Sequence, residues 1–253
     1  MTNSLSDQEK TVHLGYKKIP YDEKVKKVAY HFDSVARQYD AMNTVLSLGI
    51  HYIWKRTAIR MAELQVGDRV LDVCGGTGDL SVLATRAVGE SGQVVLYDIN
   101  REMIQAGKYK KTNAAFRKRI SYIQGNAEHI SFPDCYFDAV TVGFGVRNLT
   151  NMKQGFKEMH RVLKPGRKMM CLEFSRPASP LFRQVYDLYS FRIMPWIGEM
   201  ITGSRQAYTY LPESIRLFPA PDELSAMLED IGFSRVRYRK LTNGIAVIHA
   251  GTK

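Results

Sequence analysis

Short runs rich in β-branched and aromatic residues alternate with helix-compatible stretches from Arg69 onward. The runs are VLDVC (70–74), VVLYD (94–98), ISYIQ (120–124), FDAVTV (137–142) and KMMCLEF (168–174). This alternation indicates βαβ units, which build a parallel sheet with helices on both faces. Two last runs, RVRYRKL (235–241) and GIAVIHA (244–250), are joined by Thr242 and Asn243, too few residues for a helical crossover. They are therefore expected to pair as an antiparallel hairpin at the end of the sheet.

The same pattern divides the chain into the parts of one expected domain, residues 23–253. Residues 1–22 are polar and without periodicity, which favours a flexible N-terminal arm. Residues 23–65 carry apolar positions at helical spacing, with a break near Leu48-Gly49, and form a helical preface to a core at 66–175. An insertion at 176–214, rich in aromatic residues and Met, follows the fifth strand. Because α/β enzymes place substrate loops there, we interpret it as a lid; residues 215–253 add a helix and the hairpin.

Composition narrows the class of protein only slightly. The chain of 253 residues has 45% hydrophobic residues and a net charge of +11. The charge favours a polyanionic neighbour, either nucleic acid or an anionic membrane surface, although solvated faces on helices and an edge strand are the more ordinary explanation. The three Cys residues lack any C-x-x-C spacing, and the first ten residues lack the apolar core of a secretory signal. We therefore expect a cytoplasmic protein with reduced thiols.

The stretch DVCGGTGD (72–79) carries the first sign of a ligand. Glycines in the turn after the first strand of such a sheet let the backbone approach a ligand closely. A dinucleotide site would need a third glycine where Ser81 stands. The remaining pattern, with Asp72 in the strand and Gly76, Thr77 and Gly78 in the turn, is similar to the loop that binds S-adenosylmethionine.

Two further turns complete a cofactor site in the expected order. Asp98 closes the second strand, 20 residues after Gly78, where a carboxylate accepts hydrogen bonds from both ribose hydroxyls. Asn126 follows the third strand, where its amide can meet the edge of adenine. The sequence therefore predicts S-adenosylmethionine as cofactor, S-adenosylhomocysteine as product, and a class I methyltransferase (Rossmann-like) fold.

Several segments then narrow the family. They are FDSVARQYDAMNTVLSLGIHYIWK (32–55), VLDVCGGTGDL (70–80), GFGVRN (143–148), RVLKPG (161–166), LEFSRP (172–177), YDLYSF and MPWIG (186–198), YLPESIRLFP (210–219) and LTNGIAVIHAG (241–251). From about Val25 onward the chain resembles the C-methyltransferases of menaquinone and ubiquinone biosynthesis, which methylate a ring carbon of a polyprenylated quinol. The resemblance implies cofactor contacts at Thr77, Asp98, Asn126 and Ala127, with Gly143 standing where relatives often have Ser. The implied substrate is demethylmenaquinol, with the benzoquinol precursor of ubiquinone as a second acceptor.

Such a reaction places clear demands on the protein. A ring hydroxyl must lose its proton, so that charge reaches the adjacent carbon, and the phenolate must be stabilised. Arg147 and Asn148, directly after the fourth strand, are our candidates: the guanidinium stabilises the phenolate or orients a water, and Asn148 fixes the ring oxygen. Tyr39 and Asp40 in the helical preface are second-rank candidates for contact with a substrate hydroxyl.

The insertion supplies candidates for the pocket that holds the isoprenoid tail. They are Leu181, Phe182, Tyr186, Tyr189, Phe191, Met194 and Trp196. The isoprenoid tail of such a substrate resides in a bilayer. We therefore expect the positive net charge to support transient docking to the inner face of the membrane. We expect no metal, and we interpret His31, His51, His129, His160 and His249 as structural or surface residues. The oligomeric state stays open.

Two other functions compete with this interpretation. A nucleic-acid or other small-molecule methyltransferase would use the same cofactor and the basic charge, but no Asn/Asp-Pro-Pro-aromatic motif or appended RNA-binding module is present. A non-catalytic scaffold would have no need to keep the glycine loop, Asp98 and Arg147 together. We therefore expect an enzyme without a nucleic-acid partner.

Overall fold

The described part of the chain begins with a small hairpin that the sequence did not indicate. The computed structural model describes residues 11–36, 38–203 and 205–253. Strands β1 (Thr11–Leu14) and β2 (Lys17–Pro20) pair antiparallel. Leu14 and Ile19 are buried in a cluster with Val28 and Tyr210. The expectation of a flexible arm over 1–22 is therefore wrong for residues 11–22, because single apolar positions in this polar segment pack against distant helices; residues 1–10 lie outside the described residues.

A seven-stranded mixed sheet occupies the centre of the protein. Its strands are β3 (Arg69–Val73), β4 (Gln93–Asp98), β5 (Ile120–Gln124), β6 (Phe137–Gly143), β7 (Leu163–Phe174), β8 (Ser234–Leu241) and β9 (Ala246–Thr252). The order across the sheet is β5-β4-β3-β6-β7-β9-β8. Strands β3 to β7 are parallel, and β9 pairs antiparallel with both β7 and β8. All seven predicted strands and the terminal hairpin are confirmed.

Helices cover both faces of this sheet. They are α1 (Tyr21–Val35), α2 (Tyr39–Ser47), α3 (Ile50–Ala62), α4 (Asp79–Val88), α5 (Arg101–Tyr109), α6 (Met152–Val162), α7 (Pro180–Leu188), α8 (Met194–Thr202), α9 (Arg205–Leu217) and α10 (Pro221–Ile231). One core cluster joins α6 and α10 to the sheet through residues such as Phe156 and Leu224. A second cluster joins α3 and α4 to the other face through residues such as Trp54 and Ala84. The expected class I architecture is therefore present.

Three helices precede the sheet, and the insertion forms three more. The break expected near Leu48-Gly49 separates α2 from α3, and both residues have positive φ, 49° and 75°. The insertion folds into α7, a π-helical turn at Tyr189–Ile193, α8 and most of α9. Met42 and Leu46 of α2 pack with Met194 and Tyr208. The helical preface and the insertion therefore contact each other above the carboxyl ends of the strands.

Candidate active site

The glycine loop turns sharply at the carboxyl end of β3. Cys74, Gly76 and Gly78 all have positive φ, at 53°, 52° and 83°. A Cβ on Gly75 would lie 2.6 Å from Leu96 Cγ, so that position has no room for a side chain. The Gly76 amide donates to Asp98 Oδ2 at 2.8 Å. The loop and the acidic end of β4 therefore form one unit.

Asp72 lies beneath this loop and does not line a cavity. Its carboxylate is fully buried and accepts from Ser81 Oγ at 2.6 Å and from Thr141 Oγ1 at 2.9 Å. Burial raises the pKa of Asp72 to about 6, although these two hydrogen bonds oppose the rise. Asp72 thus ties β3 to α4 and β6 and holds the loop in place.

A narrow cleft lies between the loop and the ends of β4, β5 and β6. We call it the cofactor cleft; its free volume is about 90 Å³. The predicted cofactor residues Gly76, Asp98, Asn126, Ala127 and Gly143 all line it, whereas Asp72, Thr77 and Gly78 do not. Asp98 Oδ1 accepts the Asn100 amide at 2.8 Å, and burial raises the pKa of Asp98.

The residues of this cleft fit S-adenosylmethionine. Each Asp98 oxygen accepts one backbone N–H, at Gly76 and at Asn100, and keeps a lone pair for a ribose hydroxyl. Ile99, Met103 and Ala127 give the cleft apolar walls. The free volume is well below the roughly 300 Å³ at the lower end of small-molecule pockets. Helix α1 covers the cleft with side chains that include Phe32, and this cover limits the free volume.

Thr77 and Asp40 belong to a polar network next to the loop. Thr77 Oγ1 donates to Asp40 Oδ1 at 2.7 Å, and Lys110 Nζ lies 2.8 Å from Asp40 Oδ2. Lys110 and Lys55 both pair with Asp79, at 2.5 and 2.6 Å. Burial alone would raise the pKa of Asp79, but the two ammonium groups outweigh it and bring the pKa to about 2. The network links α2 and α3 to the start of α4.

A second cavity, of about 560 Å³, lies between the helical preface and the insertion. We call it the substrate cavity. Its walls come from α1 to α3, the ends of β6 and β7, and α7 to α9, and they are mostly apolar. Phe32, Tyr39 and Phe144 line both this cavity and the cofactor cleft. The two spaces therefore meet at these three side chains.

Arg147 lines the substrate cavity as half of a buried ion pair. Its Nη1 donates to Glu173 Oε1 at 2.7 Å and to the Phe144 carbonyl. The side chains of Arg147 and Glu173 are only 6% and 1% exposed. Burial lowers the pKa of Arg147, but Glu173, Tyr39 and Tyr210 raise it, with a net increase. The guanidinium is thus a permanent cation beside an apolar space.

Glu173 is a site residue that the sequence analysis missed. Its carboxylate accepts the amides of Arg147 and Phe174, at 3.4 and 2.9 Å, in addition to the Arg147 side chain. The available signal was an acidic residue in the otherwise apolar run MMCLEF. A carboxylate in a buried strand needs a cationic or hydrogen-bond-donating partner. This position therefore indicated a basic side chain nearby.

Asn148 lines the cofactor cleft instead of the substrate cavity. Its Oδ1 accepts from the Tyr210 hydroxyl at 2.9 Å. Burial raises the pKa of Tyr210 to about 12, although Arg147 opposes the rise. Tyr210 itself lines the substrate cavity and stacks on His31, with ring centroids 5.5 Å apart. Asn148 therefore orients a phenol that faces the cavity.

The structure brings together only part of the predicted tail pocket. Phe182, Tyr186, Tyr189 and Met194 line the substrate cavity. Leu181, Phe191 and Trp196 are not among its lining residues. Trp196 is 58% exposed, and Phe191 packs under Arg216 at 5.5 Å. The predicted contacts of Phe191 and Trp196 with substrate thus gain no support from the cavity lining.

The described residues form neither a membrane-spanning helix nor a metal-binding cluster. No helix there is long and apolar enough to cross a bilayer. No group of three or more His, Cys, Asp or Glu side chains in that part of the chain is placed to hold a metal ion.

Fold and cleft together define a class I S-adenosylmethionine-dependent methyltransferase. A solved S-adenosylmethionine-dependent methyltransferase from Aquifex aeolicus shares this fold, with a TM-score of 0.57 and 21% identity over 78% of this chain and 88% of that chain. Residues 20–253 match the ubiE/COQ5 methyltransferase family, and the chain belongs to it.

Curated relatives extend the match to nearly the full length. The "Ubiquinone/menaquinone biosynthesis C-methyltransferase UbiE" of Marinomonas sp. is 47% identical over 98% of both chains. The protein of the same name from Pseudomonas paraeruginosa is 46% identical over 98% of this chain and 97% of its own. The predicted family, enzyme class and cofactor are confirmed: this is an S-adenosylmethionine-dependent C-methyltransferase of quinone biosynthesis.

Proposed function

We propose that the protein methylates a ring carbon of demethylmenaquinol to give menaquinol, and that it also accepts the benzoquinol precursor of ubiquinone. The observation that carries this proposal is the Arg147–Glu173 pair on an apolar cavity that meets the cofactor cleft at Tyr39 and Phe144. A prenylated quinol combines one polar ring with an apolar tail. A buried cation on a mostly apolar wall matches that combination.

Arg147 is the group that stabilises the phenolate in this proposal. Its Nη1 is held by Glu173 and by the Phe144 carbonyl, and the side chain lines the cavity. The anionic oxygen of the quinol accepts a hydrogen bond from this guanidinium, and such a charge-assisted bond lowers the barrier to forming the phenolate.

The polar end of the substrate cavity also includes Tyr39, Tyr210 and Asn148. Tyr39 and Tyr210 line the cavity near the Arg147 charge, and Asn148 holds the Tyr210 hydroxyl. Since Tyr210 donates to Asn148, its oxygen is left to accept a hydrogen bond from a water or a ring hydroxyl. A water oriented by Arg147 takes the proton of the ring hydroxyl. S-adenosylmethionine supplies the methyl group as an electrophile when bound, and the methylated carbon then loses its hydrogen as a proton to water, which restores the aromatic ring. The protein holds the ring carbon at the junction of the two spaces and excludes water from it.

Aromatic rings wall the inner end of the cavity and favour the fused bicyclic ring. Trp54, Phe144 and Phe174 lie against one another, with centroids between 4.4 and 6.3 Å apart. Flat apolar surfaces of this kind stack on an aromatic ring and set its plane. The tail then extends between Tyr186, Tyr189 and Leu46 toward solvent.

The mouth of the cavity supports the proposed docking to the cytoplasmic face of a membrane. Leu48, Val185 and Leu188 line the cavity and are 87%, 60% and 62% exposed. An exposed apolar rim around a tail-binding cavity lets a lipid tail pass from bilayer to protein without crossing water. The exposed Arg192 and the net charge of +11 add attraction to anionic headgroups, at about 1 kcal/mol per basic residue near the surface.

The reaction is tested with methyl-labelled S-adenosylmethionine and three acceptors in separate assays: reduced demethylmenaquinone, a short-tailed benzoquinol precursor, and total RNA. We expect label in both quinols, faster in the naphthoquinol, and none in RNA. Label in RNA alone would overturn the proposal. The docking is tested by flotation with vesicles of neutral or anionic lipid, comparing the natural chain with a Val185→Glu, Leu188→Glu variant. Equal flotation of the two proteins would remove the membrane surface from the proposal.

A further inference from the structure

The turn between β8 and β9 forms part of the wall of the substrate cavity. Thr242 and Ile245 line the cavity, and Thr242 is exposed. The Ile245 amide donates to the Thr242 carbonyl at 3.1 Å, and the Ala178 amide donates to the Asn243 carbonyl at 2.8 Å. The turn is therefore held from both sides, and none of the roles above uses it.

Thr242 has a backbone conformation that is unusual for its residue type. Thr242, Asn243 and Gly244 have positive φ, at 45°, 53° and 87°. Gly and Asn tolerate this region, but a β-branched residue there is an outlier. Strained residues of this kind occur most often at functional sites, where the surrounding structure holds them in place. The presence of Thr at this position therefore needs a reason beyond the turn.

The hydroxyl of Thr242 supplies that reason. Trp54 Nε1 donates to Thr242 Oγ1 at 2.9 Å, although the two residues lie 188 positions apart in the chain. The Trp54 side chain is only 4% exposed, and a buried indole N–H usually has an acceptor. Thr242 therefore holds the polar edge of a buried indole.

This indole belongs to the aromatic wall of the cavity. Trp54, Phe144 and Phe174 all line the cavity, and the Trp54 ring meets the Phe174 ring edge to face at 6.1 Å. The Arg147 guanidinium lies 5.4 Å from the centroid of the same Phe174 ring. Thr242 thus contacts the wall on the Trp54 side, and Arg147 contacts it on the Phe174 side.

The bond from Trp54 to Thr242 restricts the plane of the indole. The outer torsion angle of an aromatic side chain has broad minima, so an indole without this bond could tilt. A flat acceptor that stacks on the wall takes its plane from the wall. A tilt of the indole would therefore displace the acceptor ring, and displacements of about 1 Å affect methyl transfer strongly.

We infer that Thr242 is a positioning residue: its hydroxyl sets the plane of Trp54, and Trp54 thereby favours the two-ring naphthoquinol over the one-ring benzoquinol. The inference rests on the proposed quinol substrate. Stacking increases with the apolar area that overlaps, so the larger ring system depends more on the plane of the wall.

The test measures dissociation constants of reduced demethylmenaquinone and of the benzoquinol precursor, with short tails of equal length, in detergent micelles under anaerobic conditions. Selectivity is the ratio of the two constants. We expect the natural chain to favour the naphthoquinol. Thr242→Val keeps the branched shape but loses the hydroxyl, and its selectivity should fall roughly fivefold. Thr242→Ser keeps the hydroxyl and should retain the selectivity within about twofold.

A second pair of variants asks whether Thr242 acts through Trp54. Trp54→Phe removes the indole N–H and should lower the selectivity at least as much as Thr242→Val does. Adding Thr242→Val to Trp54→Phe should then cause no further loss, because the contact is already gone. Affinity for S-adenosylmethionine should stay within about twofold in every variant, since neither residue lines the cofactor cleft.

A bond with only a structural role would lower the unfolding temperature of Thr242→Val and leave its selectivity unchanged, which would overturn the inference. Equal affinity of the natural chain for the two quinols, or a further loss in the double variant, would also overturn it. If the natural chain still methylates demethylmenaquinol in these cases, the proposed function stands and only the role of Thr242 fails. If it binds and methylates neither quinol, both fail.

Discussion

The cofactor cleft and the substrate cavity meet at Tyr39 and Phe144 but are built in different ways. Loops directly after β3 to β6 supply most of the cofactor cleft. The substrate cavity needs α2, α3 and the insertion, and contacts such as the bond from Tyr189 to the Leu46 carbonyl span 143 residues. The cofactor cleft is thus a property of the sheet, and the substrate cavity a property of how added helices cover it.

This difference separates cofactor binding from substrate recognition within one chain. A parallel sheet brings its carboxyl ends to one edge whatever the helices do, and this fold recurs in the solved methyltransferase at 21% identity. The helices that cover this edge can differ between proteins of the same fold, and such differences change which substrate accepts the methyl group. Substitutions in the two regions should therefore affect different measured quantities.

The largest effect is expected at Arg147. In Arg147→Ala the rate constant kcat should fall on the order of a hundredfold or more, because the phenolate loses its cation, while cofactor affinity stays within about twofold. Single-turnover assays and calorimetric titration with S-adenosylmethionine measure the two quantities. Since the change leaves Glu173 buried without its partner, Arg147→Met with Glu173→Gln serves as the control that keeps stability but not turnover. A parallel loss of cofactor affinity would contradict the division of roles.

Asp98 should show the opposite pattern. Asp98→Asn removes the carboxylate that we expect to accept hydrogen bonds from the ribose hydroxyls, so the Kd for S-adenosylmethionine should rise by roughly ten- to a hundredfold. At saturating cofactor, kcat should recover to within a few-fold of that of the natural chain. Matched titrations of Asp98→Asn and Asp72→Asn test whether the contact is direct, because Asp72 acts beneath the loop through Ser81 and Thr141. A kcat defect that persists at saturation would mean that Asp98 contributes to the substrate side as well.

A smaller effect concerns stability and pH. The pKa of His51 is lowered to about 4 in the folded protein, below its value of 6.5 in the unfolded chain. The unfolded chain therefore binds more protons between these values, and the natural protein loses stability as the pH falls from 6.5 to 4. Relative to His51→Phe, the loss should reach about 1 to 2 kcal/mol.

Urea unfolding of both chains at pH 7, 5.5 and 4.5 measures this difference. Asp72 acts in the opposite direction, because its folded pKa of about 6 lies above 3.8, so its contribution to stability is present at low pH and is lost as the pH rises through 6. Asp72 is common to both chains and cancels in the comparison. Parallel pH dependences would mean that His51 is protonated alike in the folded and unfolded states.

The smallest effect is expected at Trp196. Its side chain is 58% exposed and does not line the substrate cavity. Trp196→Ala should therefore leave kcat and KM in detergent within about twofold of the natural chain. Tyr189→Ala, which removes a wall of the cavity, should raise KM for a tailed quinol several-fold under the same conditions. Equal effects of the two changes would place the tail on the outer face of the insertion.

The sequence by itself determined the sheet and most of the cofactor cleft. The strands, the positive φ at Gly76 and Gly78 and the place of Asp98 at the end of β4 all depend on side-chain periodicity and backbone preference within a few residues. Because the topology of a parallel sheet then brings those ends together, local signals were sufficient to place Gly76, Asp98 and Asn126 at one cleft.

Only the tertiary structure decided which residues form the substrate cavity and how they pair. The sequence places Glu173 26 residues from Arg147, but nothing in either segment states that the two side chains meet. The same holds for Asp40, which faces Lys110 and Thr77 instead of the cavity. Which side of a helix faces a cavity, and which buried charges meet, depends on how distant elements pack, because burial and hydrogen-bond partners exist only once the chain is folded.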